Sequence, residues 1–302
     1  MSTPLQSQIF PSTLDIVEPF EGILLDAYGV FWGGNSCGLF PGSKDVMEKL
    51  VSAKKTVGIL SNSTQLVVNE TSKLQKHGLI QGRHYHFLIT SGEIAKQIFT
   101  SEELPFKTPK KKFWLLGGIH PQFSSPLTLF EGSPYTESKD VSYADFIYIS
   151  IPHINGEDQI DPNVFLEEVK KLRETNLPMV CANPDRFAHE GTPSRAVVRQ
   201  GSIAKLYEDL GGQVVYIGKP YSTVYKIAMD FFEKKGVSKP EEILMIGDTP
   251  ETDIRGANNF GIASALTTKT GIMADRIQHQ RLEKDNFQLP LGDQPRFFIE
   301  RF

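Results

Sequence analysis

The stretch GILLDAYGVFWGG, residues 22–34, places an acid directly after a short apolar run. Residues 23–25 are Ile, Leu and Leu, which predict a buried β-strand, and Asp26 stands where that strand ends. Tyr28 follows two positions later, just before a glycine turn. A carboxylate at the end of a buried strand is unfavourable unless other groups compensate its charge, so its role has to be inferred from the rest of the chain.

Similar apolar runs recur along the chain and alternate with segments of helical period. The runs read TVGILSN, HFLITS, KKFWLLGG, ADFIYISI, PMVCANP, QVVYIGKP, EILMIGDT and IASALTT, and the helical segments include KDVMEKLVSAKK and TVYKIAMDFFEKKG. This alternation predicts the α/β class, with a Rossmann-like, doubly wound core in which helices cover both faces of a parallel sheet.

Four of these runs end in a chemically useful side chain: Asp26, Ser61, Lys219 or Asp248. Because ligands bind outside the carboxyl ends of parallel strands, we expect the four groups to meet at one edge of the sheet. The long interval between Ser61 and Lys219 holds strand-like runs of its own, which predicts a smaller, inserted α/β domain rather than a structureless loop. We place the inserted domain at residues 93–213 and the discontinuous core at residues 1–92 plus 214–302.

Composition narrows the class of protein. The chain has 302 residues, of which 39% are hydrophobic and 23% charged, as in a soluble globular protein. A net charge of −4 gives no reason to expect a nucleic-acid partner or an anionic membrane surface. Cys37 and Cys181 are its two cysteines, so we expect no disulfide framework and a cytoplasmic location. The first residues lack the features of a signal peptide, and no apolar run is long enough to span a bilayer.

The segment GDTPETD contributes two further acids, Asp248 and Asp253, next to a buried run. We expect both to face a point near the sheet edge where Asp26 also arrives. Three carboxylates without a cation would repel one another and take up protons, whereas Mg²⁺ suits carboxylates, a substrate phosphate and water. For this segment alone, a turn residue and a helix-start acid are an equally good interpretation.

Two polar segments are candidates for holding an anion. Ser61 and Asn62 precede a helix predicted to begin near Thr64, where a hydroxyl and backbone N–H groups would cradle an anion. Lys219 ends a strand before Pro220 and carries a charge that neutralises phosphate. The ordinary alternatives are helix capping by the serine and a solvated surface lysine.

The order of these segments resembles the haloacid dehalogenase superfamily, class IIA, a group of p-nitrophenyl-phosphate, sugar-phosphate, phosphoglycolate, pyridoxal-phosphate and nucleotide phosphatases. DAYGVFWGGNSCGLFPGS is similar to the group's first motif and flap, ILSNST to its second motif, GKPYS to its third, and GDTPETDIRGANNFGIASALTTKTGI to its fourth. ITSGEIA resembles the segment leading to the cap, and CANPD the asparagine-proline-aspartate motif of the cap. The resemblance runs from Gly22 to about Ile272 and implies an inserted α/β cap of the C2 type.

The resemblance also implies roles for individual residues. Asp26 is expected to attack phosphorus and form an aspartyl-phosphate that water hydrolyses, which splits one hard displacement into two. The expected cofactor is Mg²⁺, with ligands from Asp26, the main-chain carbonyl of Tyr28, Asp248 and Asp253. Ser61 and Lys219 are expected to hold the transferring phosphoryl oxygens by electrostatic positioning.

Tyr28 departs from the family pattern. Phosphatases of this family carry a second aspartate two residues after the nucleophile, which acts as acid and then as base. A phenol titrates near pH 10 and is a poor base at neutral pH, and losing such a group costs roughly 10²–10⁴ in rate. We therefore expect a weak phosphohydrolase that prefers acyl, aryl or anhydride phosphates, whose leaving groups depart as anions.

Two other functions stay open. DAYG also resembles the nucleophile segment of 2-haloacid dehalogenases, in which an acid attacks carbon and displaces halide without a metal. Those enzymes lack the paired acids that Asp248 and Asp253 represent here, and they place a helical cap after the first motif, so phosphoryl chemistry is favoured. The third function is a module that binds Mg²⁺ and a phosphate ligand without turnover, for which Tyr28 is the main support.

The segment CANPDRFAHEGTPSR offers candidate substrate contacts. Asn183 and Asp185 match the family motif, and Asp185, Arg186 and His189 are candidate substrate-binding residues. Arg186 is as well explained by a surface salt bridge. His189 is a candidate substitute acid because its unperturbed pKa lies near neutral, although a lone loop histidine is more often solvated. The expected partner is a small phosphorylated metabolite, and the resemblance also suggests a homodimer.

The tail NFQLPLGDQPRFFIERF lies beyond the family resemblance. Its clustered aromatic residues, Phe297, Phe298 and Phe302, predict docking on the core or on a partner, because exposed aromatic clusters are unusual. The residues alone do not choose between those two surfaces.

Overall fold

A computed structural model describes residues 8–190, 195–279 and 289–302. The strands in these ranges are β1 (Ile9–Ser12), β2 (Gly22–Leu25), β3 (Thr56–Ser61), β4 (Phe87–Thr90), β5 (Lys112–Leu116), β6 (Thr136–Glu137), β7 (Phe146–Ile149), β8 (Met179–Cys181), β9 (Phe187–Glu190), β10 (Arg195–Val198), β11 (Val214–Tyr216), β12 (Ile243–Gly247), β13 (Ala263–Thr267) and β14 (Phe297–Arg301). The helices are α1 (Ser43–Ser52), α2 (Val67–Lys76), α3 (Ser91–Thr100), α4 (Leu166–Arg173), α5 (Gln200–Asp209), α6 (Ser222–Glu233), α7 (Arg255–Phe260) and α8 (Gly271–His279). None of the helices in the described ranges has both the length and the apolar character that crossing a membrane requires.

Seven strands form a wholly parallel sheet in the order β1–β14–β13–β12–β2–β3–β4. Strands β2, β3, β4 and β12 are buried at every position, which explains why their sequences are nearly continuous apolar runs. Leu25, the last residue of β2, lies beside Ile246 of β12 and Ile59 of β3. The residues that follow these strands therefore emerge together at one edge.

Helices cover both faces of this sheet. On β2, Ile23 and Leu25 belong to an apolar cluster with Met47 of α1, whereas Leu24 belongs to the cluster that contains Phe232 of α6. Because successive strand residues point to opposite faces, α1 and α6 lie on opposite sides of the sheet. The doubly wound parallel core predicted from the sequence is confirmed.

A second parallel sheet has five strands in the order β11–β8–β7–β5–β6, and β9 and β10 form a separate antiparallel hairpin. We interpret this part of the chain as the inserted cap. Its last strand, Val214–Tyr216, pairs with β8, so the insertion extends past the boundary that we placed at residue 213. The run QVVYIGKP passes from the insertion to the core without a turn signal, and its apolar residues alone do not show which sheet they join.

The helix predicted to begin near Thr64 begins at Val67 instead. Leu66 keeps an extended backbone with φ −67° and ψ 150°, and Ser63 Oγ accepts the N–H of Gln65 at 3.2 Å. A polar turn therefore separates β3 from α2, and the anion cradle that we expected directly after β3 is not built from a helix N-terminus.

The C-terminal aromatic residues complete the seven-stranded sheet. Strand β14 lies between β1 and β13 and is parallel to both. Phe297 makes edge contacts with Phe10 and Phe20 at centroid distances of 6.1 and 6.2 Å, and Phe298 and Phe302 are buried. Of the two docking surfaces that we predicted, the described part of the tail, residues 289–302, packs on the core of its own chain, and residues 286–288 lie outside the described residues.

Candidate active site

Asp26 lies where β2 ends, at the carboxyl edge of the seven-stranded sheet. Its backbone N–H donates to the carbonyl of Ile246 at 2.9 Å, which continues the β2–β12 pairing and fixes the position of the carboxylate. The Lys219 ammonium lies 2.5 Å from Asp26 Oδ1 and 2.7 Å from Asp253 Oδ1, so one buried lysine joins two of the predicted acids. Burial opposes the charge on Lys219, but Asp253 and Asp26 raise its pKa above the ordinary value and keep it protonated.

Asp248 and Asp253 belong to the segment that follows β12. Pro250–Ile254 form a π-helical turn, and α7 begins only after it. This turn brings Asp253 back toward β12, where its Oδ2 accepts the N–H groups of Asp248 and Thr249 at 3.1 and 3.0 Å. Asp248 Oδ2 accepts the N–H of Ile272, in the first turn of α8, at 2.6 Å. Backbone N–H groups thus hold both carboxylates in place.

Asp26, Asp248 and Asp253, which we call the core acids, converge on one point. One carboxylate oxygen from each of them lies within 4.8 Å of the others, and all three residues are buried. Burial, and after it the neighbouring Asp253, raises the pKa of Asp248 to about 8. Burial also raises the pKa of Asp26 well above its ordinary value, although the Lys219 ammonium opposes that shift.

This set of donors fits a hard divalent cation. One lysine balances one of the three carboxylates, and a second source of positive charge would remove the repulsion among the others. Carboxylate oxygens, with water and substrate phosphate, are the ligands that Mg²⁺ prefers. The core acids are therefore the residues that would hold Mg²⁺, and Tyr28 lines the same cleft.

Two glycines with left-handed backbone make room for the Asp248 carboxylate. Gly29 has φ +79° and Gly271 has φ +69°, a region that residues with a side chain rarely adopt. A Cβ atom would lie 2.1 Å from Asp248 Oδ2 at Gly29 and 2.0 Å from it at Gly271. The position of this acid therefore requires glycine at both places.

Asn62 ties Lys219 to the second predicted motif. Its Oδ1 accepts the backbone N–H of Lys219 at 2.7 Å, and its Nδ2 donates to the Lys219 carbonyl at 3.1 Å. The same Nδ2 donates to Asp185 Oδ1 of the insertion at 3.0 Å. Asn62 is thus a positioning residue, whereas Ser61, whose Oγ accepts the N–H of Ser63 at 3.2 Å, lines the cleft itself.

The Tyr28 hydroxyl is engaged by charged residues of α2. Lys73 Nζ donates to it at 3.2 Å and lies 5.1 Å from the ring centroid. Lys73 also pairs with Glu70 at 2.5 Å. Burial, and after it the Glu70 carboxylate, raises the pKa of Tyr28 to about 12. The phenol therefore stays protonated at neutral pH and does not replace the base function of an aspartate.

A cleft of about 650 Å³, measured with its open mouth, lies between the core and the insertion. The predicted residues that line it are Asp26, Tyr28, Ser61, Asp185, His189 and Asp248. Lys219 and Asp253 are not among the lining residues, and Lys219 connects Asp253 to Asp26 through its two ion pairs. Arg186 is exposed and lines a neighbouring cleft instead, so the structure does not bring it to the core acids.

His189 is neither solvated nor isolated, in contrast to the usual behaviour of a loop histidine. Its side chain is 11% exposed, and its Nε2 lies 2.6 Å from Asp275 Oδ2 of α8. Because His189 belongs to β9 and Asp275 to the core, this pair connects the hairpin of the insertion to the core at the cleft.

Asp158, Glu190 and Arg199 form a charged group on the insertion side, which we call the cap wall and did not predict. Arg199 Nη1 donates to Asp158 Oδ1 at 2.8 Å, and Glu190 Oε2 accepts the N–H of Asn35 of the core at 3.2 Å. Glu190 and Arg199 line the cleft. They stand outside the motifs of the resemblance, and nothing in the local sequence shows that these side chains turn inward.

The comparison with known proteins defines the class. The HAD-hydrolase-like family matches residues 216–288, the part of the chain that carries Lys219, Asp248 and Asp253. With the relatives and solved structures of the same fold, this match confirms the resemblance predicted from the motifs. The chain is therefore similar to the haloacid dehalogenase-like hydrolases in this segment and shares the fold of solved members over nearly its whole length.

Curated relatives extend over most of the chain. Bovine (Bos taurus) chronophin is 23% identical over 292 residues, which are 95% of this chain and 92% of chronophin. A Schizosaccharomyces pombe protein named cardiolipin synthase (CMP-forming)/mitochondrial hydrolase fusion protein is 26% identical over 239 residues. That match spans 70% of this chain but 40% of the length of the fusion protein.

Solved structures share the fold over nearly the whole chain. A haloacid dehalogenase-like hydrolase from Brucella suis superposes with a TM-score of 0.76 at 22% identity and covers 96% of this chain and 98% of its own. A 4-nitrophenylphosphatase from Thermotoga maritima superposes with a TM-score of 0.62 at 22% identity, with 94% and 95% covered. At this identity the likeness establishes the architecture.

Proposed function

We propose that the protein is a Mg²⁺-dependent phosphohydrolase of small phosphorylated metabolites. The observation that carries the proposal is the convergence of the core acids within 4.8 Å of one another, with Lys219 2.5 Å from Asp26. The neighbour from Thermotoga maritima is named a 4-nitrophenylphosphatase, which supports the same chemistry.

Asp26 is the nucleophile of the proposed reaction. Its carboxylate attacks phosphorus, the leaving group departs, and water hydrolyses the aspartyl-phosphate that forms. Lys219 neutralises charge on the transferring phosphoryl oxygens, and Ser61 donates its hydroxyl to them. Mg²⁺, when held by the core acids, supplies further positive charge at the same place.

The insertion, extended to Tyr216, is the proposed cap over this site. Asp185 reaches Asn62 of the core at 3.0 Å, and His189 reaches Asp275 at 2.6 Å. One contact precedes β9 and the other lies within it, and both support a cap at this cleft. The substrate would therefore be enclosed between the two parts of the chain, which limits the access of bulk water and leaves room for the water that hydrolyses the aspartyl-phosphate.

The test of this function is Mg²⁺-dependent release of phosphate from a panel of phosphate esters and anhydrides. Asp26→Asn should lower the rate by roughly 10³-fold or more, because it removes the nucleophile. Asp230→Asn, an exposed acid on α6, is the matched control and should leave the rate unchanged. Phosphate release that persists in Asp26→Asn, or halide release from 2-haloacids without metal, would overturn the proposal.

Tyr28 restricts the proposed substrates to activated phosphates. Its hydroxyl is bonded to Lys73 and its pKa is about 12, so no base stands where the family has its second aspartate. Acetyl phosphate or p-nitrophenyl phosphate should react at least about 10²-fold faster, in kcat/KM, than glycerol 3-phosphate. Comparable values for the aryl and alkyl esters would contradict this preference.

A second candidate is a module that binds Mg²⁺ and a phosphate ligand without turnover. The observation that favours it is again the Tyr28 hydroxyl, which Lys73 holds at 3.2 Å. In that case Mg²⁺ and phosphate should raise the melting temperature together while no substrate of the panel releases phosphate. Turnover that depends on Asp26 would eliminate this candidate.

A further inference from the structure

The guanidinium of Arg199 is buried and only partly bonded. Its side chain is 5% exposed, and Nη1 donates to Asp158 Oδ1 at 2.8 Å and to the Val198 carbonyl at 3.0 Å. Nη2 has no hydrogen-bond partner within the part of the chain that the structure describes. Glu190 Oε1 lies 3.6 Å from Nη2, which is an ion-pair contact but too long for a hydrogen bond. A buried N–H group without an acceptor is costly, so an acceptor from outside the chain would be favoured there.

The unbonded nitrogen belongs to a side chain that lines the same cleft as Asp26. The ring of Phe123 packs 5.8 Å from Arg199 Cζ and, with Asp158, fixes the plane of the guanidinium. Apolar side chains of Ile151 and Phe187 line the cleft as well. The cleft thus has a phosphate-binding side on the core, apolar surface, and one fixed cation on the insertion.

Glu190 does not fulfil the role of the missing acceptor. Its Oε2 accepts the N–H of Asn35 at 3.2 Å, which holds the carboxyl group toward the core. Burial raises the pKa of Glu190 above its ordinary value, although Arg199 opposes that shift, so the surroundings disfavour a full charge on it. Asp158 is then the acid that Arg199 contacts by a hydrogen bond, and the second nitrogen stays available.

We propose that Arg199 binds a second anionic group of the substrate, so that the substrate is a phosphate compound that also carries a carboxylate or a further phosphate. A planar guanidinium binds both groups through paired N–H donors, and the desolvated cleft strengthens that contact. The inference rests on the proposed function, because the core acids and Lys219 set where the first phosphate binds.

Binding of phosphonates tests the proposal without turnover. The probes, added with Mg²⁺, are 3-phosphonopropionate, its neutral amide, and 1,3-propanebisphosphonate, and the readout is the dissociation constant from thermal-shift titration. The intact protein should bind the carboxylate or the bisphosphonate at least about tenfold more tightly than the amide. Which of the two binds more tightly distinguishes a carboxylate from a phosphate as the second group. Equal binding of all three probes would overturn the inference.

Variants assign the preference to Arg199. Arg199→Gln should abolish it while binding of the amide is unchanged, and Arg195→Gln, an exposed arginine on β10, should keep it. If Arg199→Gln does not fold, Arg199→Lys is the second variant. It keeps the positive charge but loses the paired N–H donors of the guanidinium, and should reduce the preference for the charged probes over the amide several-fold. A preference that survives in a folded Arg199 variant would overturn the inference. Failure of phosphate release with an intact, Arg199-dependent preference would overturn the proposed function alone.

Discussion

The core acids and the cap wall both contribute residues to one cleft, and each group is only partly balanced by its own chain. On the core side, the one lysine that contacts the three buried carboxylates pairs with only Asp26 and Asp253, so negative charge is in excess. On the insertion side, a buried guanidinium has a nitrogen without an acceptor. Excess buried charge in the core and an unbonded buried N–H group in the cap wall are both costly, and each indicates the kind of ligand that would lower the cost. A cation would balance the core acids, and an anion would accept the N–H of Arg199 in the cap wall.

The two groups also differ in what holds them. Backbone N–H groups position Asp248 and Asp253, and strand pairing positions Asp26. Side-chain contacts with Asp158 and Phe123 position Arg199. The core site therefore follows from the fold itself, whereas the cap wall depends on which side chains the insertion carries. Substitutions on each side should reveal this difference.

The largest effect on stability is expected from Lys219→Met. Removing the ammonium leaves Asp26 and Asp253 buried without their counterion, which should lower the free energy of unfolding by about 3–5 kcal/mol. Urea unfolding in EDTA measures the loss, and Mg²⁺ should restore part of it. Lys226→Met, at an exposed position on α6, is the control and should change stability little. A Lys219→Met protein as stable as the parent in EDTA would show that the core acids do not need this charge.

Gly271→Ala should remove the stabilisation that Mg²⁺ provides. At a hundredfold excess over its dissociation constant, Mg²⁺ should add about 2.7 kcal/mol to the parent protein. A methyl group at Gly271 would meet Asp248 Oδ2 at 2.0 Å and displace this ligand.

The control for this prediction is Gly82→Ala. Gly82 has φ +86° and open space around its Cβ position, so it shares the backbone strain of about 1–2 kcal/mol without touching the site. Melting temperatures with and without Mg²⁺ compare the two variants. An equal gain from Mg²⁺ in both would show that the placement of Asp248 does not depend on this glycine.

Asp158→Asn should increase the preference of the cap wall for the carboxylate probe over the amide probe. Asparagine keeps an oxygen for Arg199 Nη1 but removes a negative charge, so binding of 3-phosphonopropionate should tighten by about 0.5–1 kcal/mol, roughly two- to fivefold. The amide probe should bind as before, and Asp161→Asn, an exposed acid of the insertion, should have no effect. Weaker binding of the carboxylate would indicate that Asp158 is needed chiefly to orient the guanidinium.

Tyr28→Phe should have the smallest effect. The hydroxyl keeps its proton below its pKa of about 12, so it contributes no ionisation to the pH–rate profile between about pH 5 and 9. Loss of the Lys73 hydrogen bond should cost about 1 kcal/mol of stability, and kcat/KM should change less than about threefold. A hundredfold loss with an altered pH profile would make the phenol a participant in proton transfer.

The parts of the site that could be predicted are those that follow from strand ends. Asp26, Ser61 and Asp248 each come directly after a buried run, and parallel pairing brings such positions to one edge whatever their separation in the chain. The segment GDTPETD also led us to expect Asp253 at this edge, although its place depends on a π-helical turn that the spacing does not reveal.

The rest depended on contacts between distant segments. The burial of Arg199 and Glu190 arises from a hairpin resting on the core, and the pairing of His189 with Asp275 joins two parts of the chain that no local pattern connects. Strand β11 is a further example. It has three residues, and its sequence alone does not show which sheet it joins; its pairing with β8 does. The periodicity of the sequence therefore could not predict which side chains of the insertion face the cleft.

The position of β14 has a consequence for how the chain reaches its final form. Within the described residues, β1 pairs with β14 alone, and Ile9 lies beside Phe298 although 289 positions separate them in the sequence. During synthesis β1 cannot join the sheet before β14 has left the ribosome, and the edge of β13 stays unpaired until then. Completion of this sheet thus requires that β14 has been synthesised and has paired with β13.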